Sequence, residues 1–323
     1  MEKRNSKAFY VVKAFAILSV IFAHCTYSGT PTVQAITDLL GGIGVPIFLA
    51  SAAVFFNEKE DWRSFWFKKL KNIVCPWILF GVITYLGGVF LGGNGTFGIV
   101  KLLHWCIGYG SWMYFVTILL MCYAIFRAIR WDGLPYVMIA LFLLSNILDV
   151  FGINPITNLI GSYLNVFTRI GYFAIGILLK KASVMKLETP KLWIKLSLSA
   201  FAVVMGVLCI VLDVPVLSYF IHLSFILSVG SSLFFWSQSL ADCKLLEGIG
   251  KQTYFIYFVH MQIGNAVLNL IMKLAGLPAA ANWMWLIVKP VAILFFIYAI
   301  AVIAVKVAAL IKLDKLKWLA GLR

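Results

Sequence analysis

The sequence has few charged residues and no long polar stretch, and both shortages restrict the kind of protein that it encodes. Charged residues make up 12% of its 323 residues and hydrophobic residues 63%, with a mean hydropathy of +0.98. Soluble domains carry roughly twice that share of charge. No polar segment is long enough to form a separate soluble domain. We therefore expect residues 1–323 to form one all-α, polytopic integral membrane domain.

Acidic residues and cysteines are also scarce. The chain carries 12 Asp and Glu against 27 Lys and Arg, which gives a formal net charge of +15. This charge is spread over alternate loops, as membrane insertion and anionic lipids require. We therefore expect contact with the bilayer and no nucleic-acid partner. The six cysteines show no metal-ligand spacing, so we predict no metal site.

Apolar runs long enough to cross about 30 Å of hydrocarbon recur along the whole chain. A short interfacial helix is also predicted at Ile99–Ile107, in the longest outer loop. We predict about ten transmembrane helices, at residues 9–27, 36–57, 73–93, 111–129, 134–152, 162–179, 192–213, 215–238, 253–274 and 283–311.

The loops between these runs obey the positive-inside rule. With the N-terminus in the cytoplasm, all but five of the 27 Lys and Arg residues lie on the cytoplasmic side. The exceptions are Lys13, Lys101, Arg169, Lys273 and Lys289. An even number of spans returns the chain to its starting side, so we predict that both termini are cytoplasmic.

Two ionisable residues lie inside the first apolar run, where such groups are costly and usually serve a function. Lys13 and His24 are eleven residues apart, which places them within about 20° of each other on one helix face and about 16 Å apart along the axis. The spacing predicts a basic group and a proton carrier on one wall of a polar path.

This spacing is the first of several motifs that occur in a characteristic order. They are Lys13 with His24, Gly44–Phe48, Phe67–Lys71 followed by Cys75–Trp77, Ser111–Phe115, and Gly250–His260. Together they resemble the membrane-bound acyltransferase 3 family, whose members transfer acyl groups to cell-surface carbohydrates. Three departures stand out: Tyr10 replaces a frequent acidic residue, Ala52 replaces a glycine, and lysines stand at positions where arginine is common.

The resemblance implies an integral membrane O-acyltransferase in the inner or plasma membrane of a bacterium. The implied donor is an acyl-CoA, with acetyl-CoA as the expected one, and the implied acceptor is a hydroxyl of a surface polysaccharide or lipid-linked glycan. Succinyl transfer, a covalent acyl relay and assembly into a homo-oligomer stay open at this stage.

Acyl transfer needs a base for the acceptor hydroxyl and donors for the developing oxyanion. The resemblance implies that His24 is the base. Arg169 is predicted to lie inside the helix at 162–179, where it stabilises the oxyanion or binds the acceptor. Asp149 or Asp38 can orient His24 or pair with Arg169, and the sequence does not choose between them.

The remaining predicted site residues fall into two groups. Phosphates of the donor are expected at Lys13, Lys68, Lys69 and Lys71, although positive-inside topology alone also accounts for the loop lysines. The acceptor is expected at Trp112, Tyr114, Tyr257 and His260, although interfacial aromatic belts and helix packing also account for aromatic residues there.

A transporter or exporter of a saccharide or anion is the alternative function, because it can use the same intramembrane polar residues. We find no inverted repeat or paired broken helices of the kind that such proteins use, although Pro46, Pro155 and Pro290 can interrupt helices.

Overall fold

The computed structural model describes residues 2–25, 31–90, 97–212, 214–274 and 283–322. These residues form helices and connecting turns, and no strand occurs among them. The α-helices are α1 (Glu2–His24), α2 (Pro31–Gly41), α3 (Gly44–Val54), α4 (Trp62–Lys69), α5 (Cys75–Phe90), α6 (Ile99–Ile107), α7 (Tyr114–Ala128), α8 (Leu134–Val150), α9 (Pro155–Ile160), α10 (Ile170–Lys181), α11 (Leu192–Val211), α12 (Pro215–Ser239), α13 (Lys244–Lys251), α14 (Thr253–Val259), α15 (Ala266–Leu274) and α16 (Trp283–Leu310). Two π-helical turns, Leu70–Val74 and His260–Asn265, and three 3-10 turns, Val166–Thr168, Val184–Lys186 and Asp314–Ala320, complete the secondary structure of these ranges.

Several helical stretches in the described ranges are long and apolar enough to cross a membrane. They are Lys3–His24, Thr32–Val54, Trp62–Phe90, Leu192–Val211, Pro215–Ser239 and Val288–Leu310. Two further helices, α7 and α8, are apolar but shorter. The all-helical membrane architecture is therefore confirmed, while the count of about ten spans and the side of the termini stay predictions.

Helix bounds follow the predicted apolar runs closely in the second half of the chain. The bounds of α11, α12 and α16 lie within two residues of the predicted runs, and the interfacial helix α6 covers Ile99–Ile107 as predicted. Residues 26–27, 91–93 and 213 of the predicted runs lie outside the described residues.

The predicted run at 36–57 is divided into α2 and α3. Pro46 lacks the backbone N–H that would bond the carbonyl of Gly42, so a continuous helix loses a hydrogen bond there. Pro155 instead begins α9, and Pro290 lies inside α16 without ending it. Near this break, the backbone of Gly41 and Gly42 lines a cavity that also contains His24.

Arg169 is not inside a helix, which corrects the prediction from the run at 162–179. It lies immediately before α10, which begins at Ile170. Gly161 adopts a left-handed φ of +83°, and the Asn165 side chain accepts a hydrogen bond from the backbone N–H of Phe167. These local bonds favour turns over helix, so the apolar composition of the segment did not show where the helix begins.

The first helix occupies the centre of the molecule and packs against α2, α3, α12, α13 and α16. Gly250 permits the closest of these approaches, because a Cβ at this position would lie 1.9 Å from the carbonyl oxygen of Tyr10. A larger residue would push α13 away from α1. Each polar residue along α1 is therefore held in a fixed place relative to its neighbours.

The loop before α4 is fixed by a buried arginine. Arg127 is 2% exposed, and its guanidinium donates to the backbone carbonyls of Glu58 and Glu60. The same group packs on the rings of Trp62 and Phe65, at 5.7 and 5.5 Å from their centroids. Arg127 thus positions the start of the helix that carries two of the predicted donor-binding lysines.

Candidate active site

A cavity of about 420 Å³ lies beside the N-terminal half of α1, and we call it the lysine cavity. Its basic lining residues are Lys13, Lys68, Lys69 and Lys251. Three of these lysines were predicted to bind the donor. The fourth predicted lysine, Lys71, lies outside this lining, and its ammonium group packs over the ring of Trp318 at 5.2 Å.

Aromatic rings hold two of the ammonium groups in the lysine cavity. Lys13 Nζ lies 5.2 Å from the ring centroid of Phe55, and Lys69 Nζ lies 4.0 Å from that of Tyr123. Cation–π contacts of this kind fix the position of a charge without neutralising it. Both ammonium groups thus lie in the wall of the lysine cavity, next to aromatic rings.

Carboxylates accompany the other two lysines of this cavity. Glu60 accepts a hydrogen bond from Lys68, and this bond holds the pKa of Glu60 below its usual range. Glu247 lies 2.6 Å from Lys251 Nζ, and the hydrogen bond between them raises the pKa of Lys251. Each of these pairs places an ammonium group in the wall of the lysine cavity next to an acidic side chain.

A second, larger cavity of about 860 Å³ lies at the C-terminal end of α1, and we call it the histidine cavity. Its ionisable lining residues include His24, Asp38, Arg169 and His222. The break between α2 and α3 contributes Gly42 to its wall, and the adjoining parts of α2 and α3 contribute Gly41 and Pro46. The volume is within the usual range for small-molecule sites.

Aromatic residues form a large part of the remaining wall of the histidine cavity. Trp105, Trp112, Tyr114 and Tyr163 all line it. Trp112 and Tyr114, which the sequence predicted to contact an acceptor, therefore do share a cavity with His24. Flat aromatic faces next to polar groups suit the binding of a sugar ring.

The guanidinium of Arg169 is held in place in this cavity by neutral groups. Its Nη1 donates to the carbonyl of Ser162 at 2.8 Å and to Oγ1 of Thr168 at 2.7 Å. The rings of Tyr114 and Tyr163 flank it, at 5.4 and 5.6 Å from Cζ. No carboxylate of the described residues forms an ion pair with Arg169.

The two carboxylates that the sequence left as alternatives are in different places. Asp38 is exposed in the histidine cavity and accepts a hydrogen bond from Gln34 Nε2 at 2.8 Å. Asp149 is half-buried near the end of α8 and does not belong to the lining formed by the described residues. The structure thus brings Asp38, but not Asp149, into one cavity with His24.

Tyr257 lies between the two cavities. Its ring lines the lysine cavity, and its hydroxyl donates to the backbone carbonyl of Trp112, which lines the histidine cavity. Phe115, which also lines the lysine cavity, packs on Tyr257 with the ring centroids 5.5 Å apart. The sequence predicted that Tyr257 contacts the acceptor, and the structure places this residue in the lining of the lysine cavity.

His260 is completely buried behind His24. The two ring centroids are 5.2 Å apart, and His260 Nδ1 lies 2.7 Å from the carbonyl oxygen of Tyr257. His260 is outside both linings as the described residues define them. The structure therefore places His260 next to the predicted base.

Two of the basic residues that line these cavities were not among the predicted site residues. His222 on α12 lines the histidine cavity. The sequence indicates a functional role for this residue only through the presence of a histidine within an apolar run. Lys251 lines the lysine cavity, and its signal was its place in the Gly250–His260 motif. No group of three or more His, Cys, Asp and Glu residues in the described ranges is arranged to hold a metal ion.

The sequence model of one family, described as an acyltransferase domain, matches residues 7–310. No curated protein gives a significant match, and no solved structure does so either. Because the family match extends over nearly the whole of a 323-residue chain that contains both cavities, the protein belongs to the acyltransferase 3 family.

Proposed function

We propose that the protein is a multi-pass O-acyltransferase of a cell membrane, with about ten spans and both termini in the cytoplasm. It takes an acetyl group from acetyl-CoA and delivers it to a hydroxyl of a cell-surface polysaccharide or a lipid-linked glycan. The main support for this proposal is that α1 lines two cavities of different chemistry. Lys13 lies in the lysine cavity, and His24 lies in the histidine cavity.

In this proposal, the lysine cavity receives the donor from the cytoplasm. Phosphate groups are bound by Lys13, Lys69 and Lys251, because charge-assisted hydrogen bonds to phosphate are about twice as strong as neutral ones. The distance along α1 from Lys13 to His24 is about 16 Å. An extended thioester arm bound beside Lys13 can follow this helix toward Tyr257 and the wall of the histidine cavity.

The histidine cavity receives the acceptor from the opposite side. An acceptor sugar stacks on the aromatic lining, and His24 lies at the end of α1 where an acceptor hydroxyl can reach it. Arg169 supplies positive charge in the same cavity without a carboxylate partner among the described residues.

The proposed reaction is a direct transfer. The acceptor oxygen attacks the thioester carbonyl carbon, and His24 removes the proton of that hydroxyl as the new C–O bond forms. Arg169 stabilises the oxygen anion of the tetrahedral intermediate. The C–S bond then breaks, and the protonated His24 returns the proton to the thiolate of coenzyme A.

Purified protein in detergent, incubated with radiolabelled acetyl-CoA, tests this function. The enzyme should transfer the label to an added glycan, or hydrolyse the thioester slowly to acetate, and His24→Ala should abolish both reactions. The matched control is His104→Ala on α6, because His104 is exposed and outside the histidine cavity. Saccharide flux into liposomes without any thioester, unaffected by His24→Ala, would instead indicate a carrier and contradict the proposal.

A further inference from the structure

We propose that the acceptor is a lipid-linked glycan whose hydrocarbon chain lies in an apolar groove next to the histidine cavity. This inference rests on the proposed function and deepens it, because it chooses the lipid-linked glycan over the polysaccharide without a lipid. It is carried by a third cavity, of about 200 Å³, which shares part of its lining with the histidine cavity. We call this third cavity the apolar groove.

The lining of the apolar groove suits a hydrocarbon chain. It is formed by parts of α1, α3, α10 and α12 and by the turn after α10. Its polar side chains are Ser51, Tyr172 and Ser231, and no Asp, Glu, Lys, Arg or His of the described residues lines it. A phosphate or a charged sugar would find no charged partner there, whereas a hydrocarbon chain needs none.

The apolar groove adjoins the histidine cavity. Pro46, Tyr172 and Ile226 line both of them. From Ile226 the lining continues along α12 to Phe235, which corresponds to about 13 Å of helix. A molecule whose polar head lies in the histidine cavity can therefore place an attached chain in the apolar groove.

The lining combines buried residues with residues exposed on the surface of the helical body. Leu179, Leu187 and Leu227 are 40%, 41% and 40% exposed, whereas Val12 and Val54 are buried. The helix that carries Leu227, α12, is long and apolar enough to cross a membrane. Exposed leucines on such a helix are suited to contact with lipid chains. A lipid chain can thus reach the apolar groove from within the bilayer.

The expected benefit of this groove is proximity. Lipid chains are as apolar as leucine, so moving a chain from the bilayer into the groove gains little hydrophobic free energy. Once the chain is in place, however, the attached glycan is held beside the histidine cavity at a high effective concentration. We therefore expect the groove to lower the KM for a lipid-linked acceptor, and to have no such effect for a polysaccharide without a chain.

An acyl chain of the donor is the competing occupant, because Phe9 lines both the apolar groove and the lysine cavity. Two observations favour the acceptor. The ring of Phe9 is buried and packs on Phe55 and Phe234, with centroids 5.2 and 5.1 Å away. The proposed acetyl group, moreover, has two carbon atoms and needs no groove of this length.

Gly230 offers a variant that fills the apolar groove. A Cβ at this position would lie 3.9 Å from Ile47 Cγ1, an ordinary van der Waals contact, so the side chain of Gly230→Leu can extend into the groove. The glycine lies within α12, where leucine also favours the helix. We expect this variant to raise the apparent KM for the lipid-linked acceptor about tenfold.

Gly87→Leu in α5 is the matched control, because Gly87 is outside the linings of all three cavities and a Cβ there would have open space around it. It should leave the KM for the acceptor unchanged. Equal KM values in the two folded variants would overturn the inference. A raised KM for acetyl-CoA in Gly230→Leu would also overturn it, because the groove would then belong to the donor.

A measurement on the unmodified protein serves if the Gly230→Leu variant does not fold. The protein in lipid nanodiscs is incubated with radiolabelled acetyl-CoA and with two fractions from the cells that produce it, the lipid-linked glycans and the polysaccharide freed of lipid. We expect label in the lipid-linked fraction. Label confined to the polysaccharide, or present in neither fraction, would overturn the inference. Cleavage of acetyl-CoA that depends on His24 would then still support the proposed function, so the two failures are distinguishable.

Discussion

At the scale of single residues, position relative to the two cavities decides what each polar side chain can do. Lys13 and Lys69 contact aromatic rings and line the lysine cavity. Lys71 is only two residues beyond Lys69, yet its ammonium group packs on Trp318 outside that lining. A charge contributes to ligand binding only where the ligand can reach it, so neighbouring lysines are expected to differ in function.

This difference gives a matched pair of substitutions. Lys69→Gln should raise the KM for acetyl-CoA about tenfold with kcat nearly unchanged, because one charge-assisted contact to a phosphate is lost. Lys71→Gln removes the same charge two residues away and should leave this KM unchanged. Initial rates over a range of acetyl-CoA concentrations measure both, and equal effects would show that the lysines act through general surface charge.

Asp38 and Asp149 provide a second matched pair of substitutions. Asp38 lines the histidine cavity and Asp149 is outside it, so Asp38→Asn should raise the KM for the acceptor about tenfold through loss of a charge-assisted hydrogen bond. Asp149→Asn should leave the kinetics of transfer unchanged. Steady-state rates with the acceptor as the varied substrate check this expectation. A larger loss in Asp149→Asn would mean that the catalytic carboxylate is the one near the end of α8.

At the scale of helices, packing against α1 determines where the chemistry occurs. The helical period placed Lys13 and His24 on one face, and the structure assigns them to the two cavities beside α1. The buried contact of His24 with His260 depends on how the segment containing α14 packs on α1, which a single periodic pattern does not determine.

Hydrophobic runs predicted the bounds of α11 and α12 well, because lipid-facing helices are continuous apolar segments.

The sequence was less informative where polar side chains replace helical hydrogen bonds. Asn165 forms such bonds before α10, so Arg169 lies in a turn, although the surrounding residues are apolar enough for a helix. His222 likewise reaches the histidine cavity through the packing of α12, and its neighbours in the sequence do not signal this. Tertiary contacts, and not local composition, determine these parts of the site.

The loop that precedes α4 allows a prediction at the scale of elements. Arg127→Met should lower the free energy of unfolding by about 1–3 kcal/mol, because the backbone carbonyls of Glu58 and Glu60 lose a buried donor. The KM for acetyl-CoA should rise as well, because this loop leads into the helix with Lys68 and Lys69. Thermal unfolding in detergent and steady-state kinetics measure the two effects.

Arg130→Met is the control for this prediction, because Arg130 is exposed and three residues away. It should change neither the melting temperature nor the donor KM. A stable Arg127→Met protein would mean that the loop is held by its other contacts, such as the hydrogen bond from Lys180 to the carbonyl of Phe56.

At the scale of the whole molecule, the protein is a helical membrane body with cavities at the two ends of one central helix. Tyr257, which lines one cavity, donates a hydrogen bond to the backbone carbonyl of Trp112, which lines the other. Under the proposed function, a polyanionic donor and a carbohydrate acceptor enter these two cavities from different sides and meet beside His24. The protein surface in the described ranges is otherwise rich in exposed apolar side chains on α11 and α16, as expected for contact with lipid.

The central claim is that the donor enters through the lysine cavity and that its sulfur ends beside His24. The most direct test is an electron cryomicroscopy structure of the protein with coenzyme A bound. The phosphates should contact Lys13, Lys69 and Lys251, and the thiol should point past Tyr257 toward the imidazole of His24. Coenzyme A bound elsewhere, or bound in the lysine cavity with its thiol directed away from His24, would contradict the account.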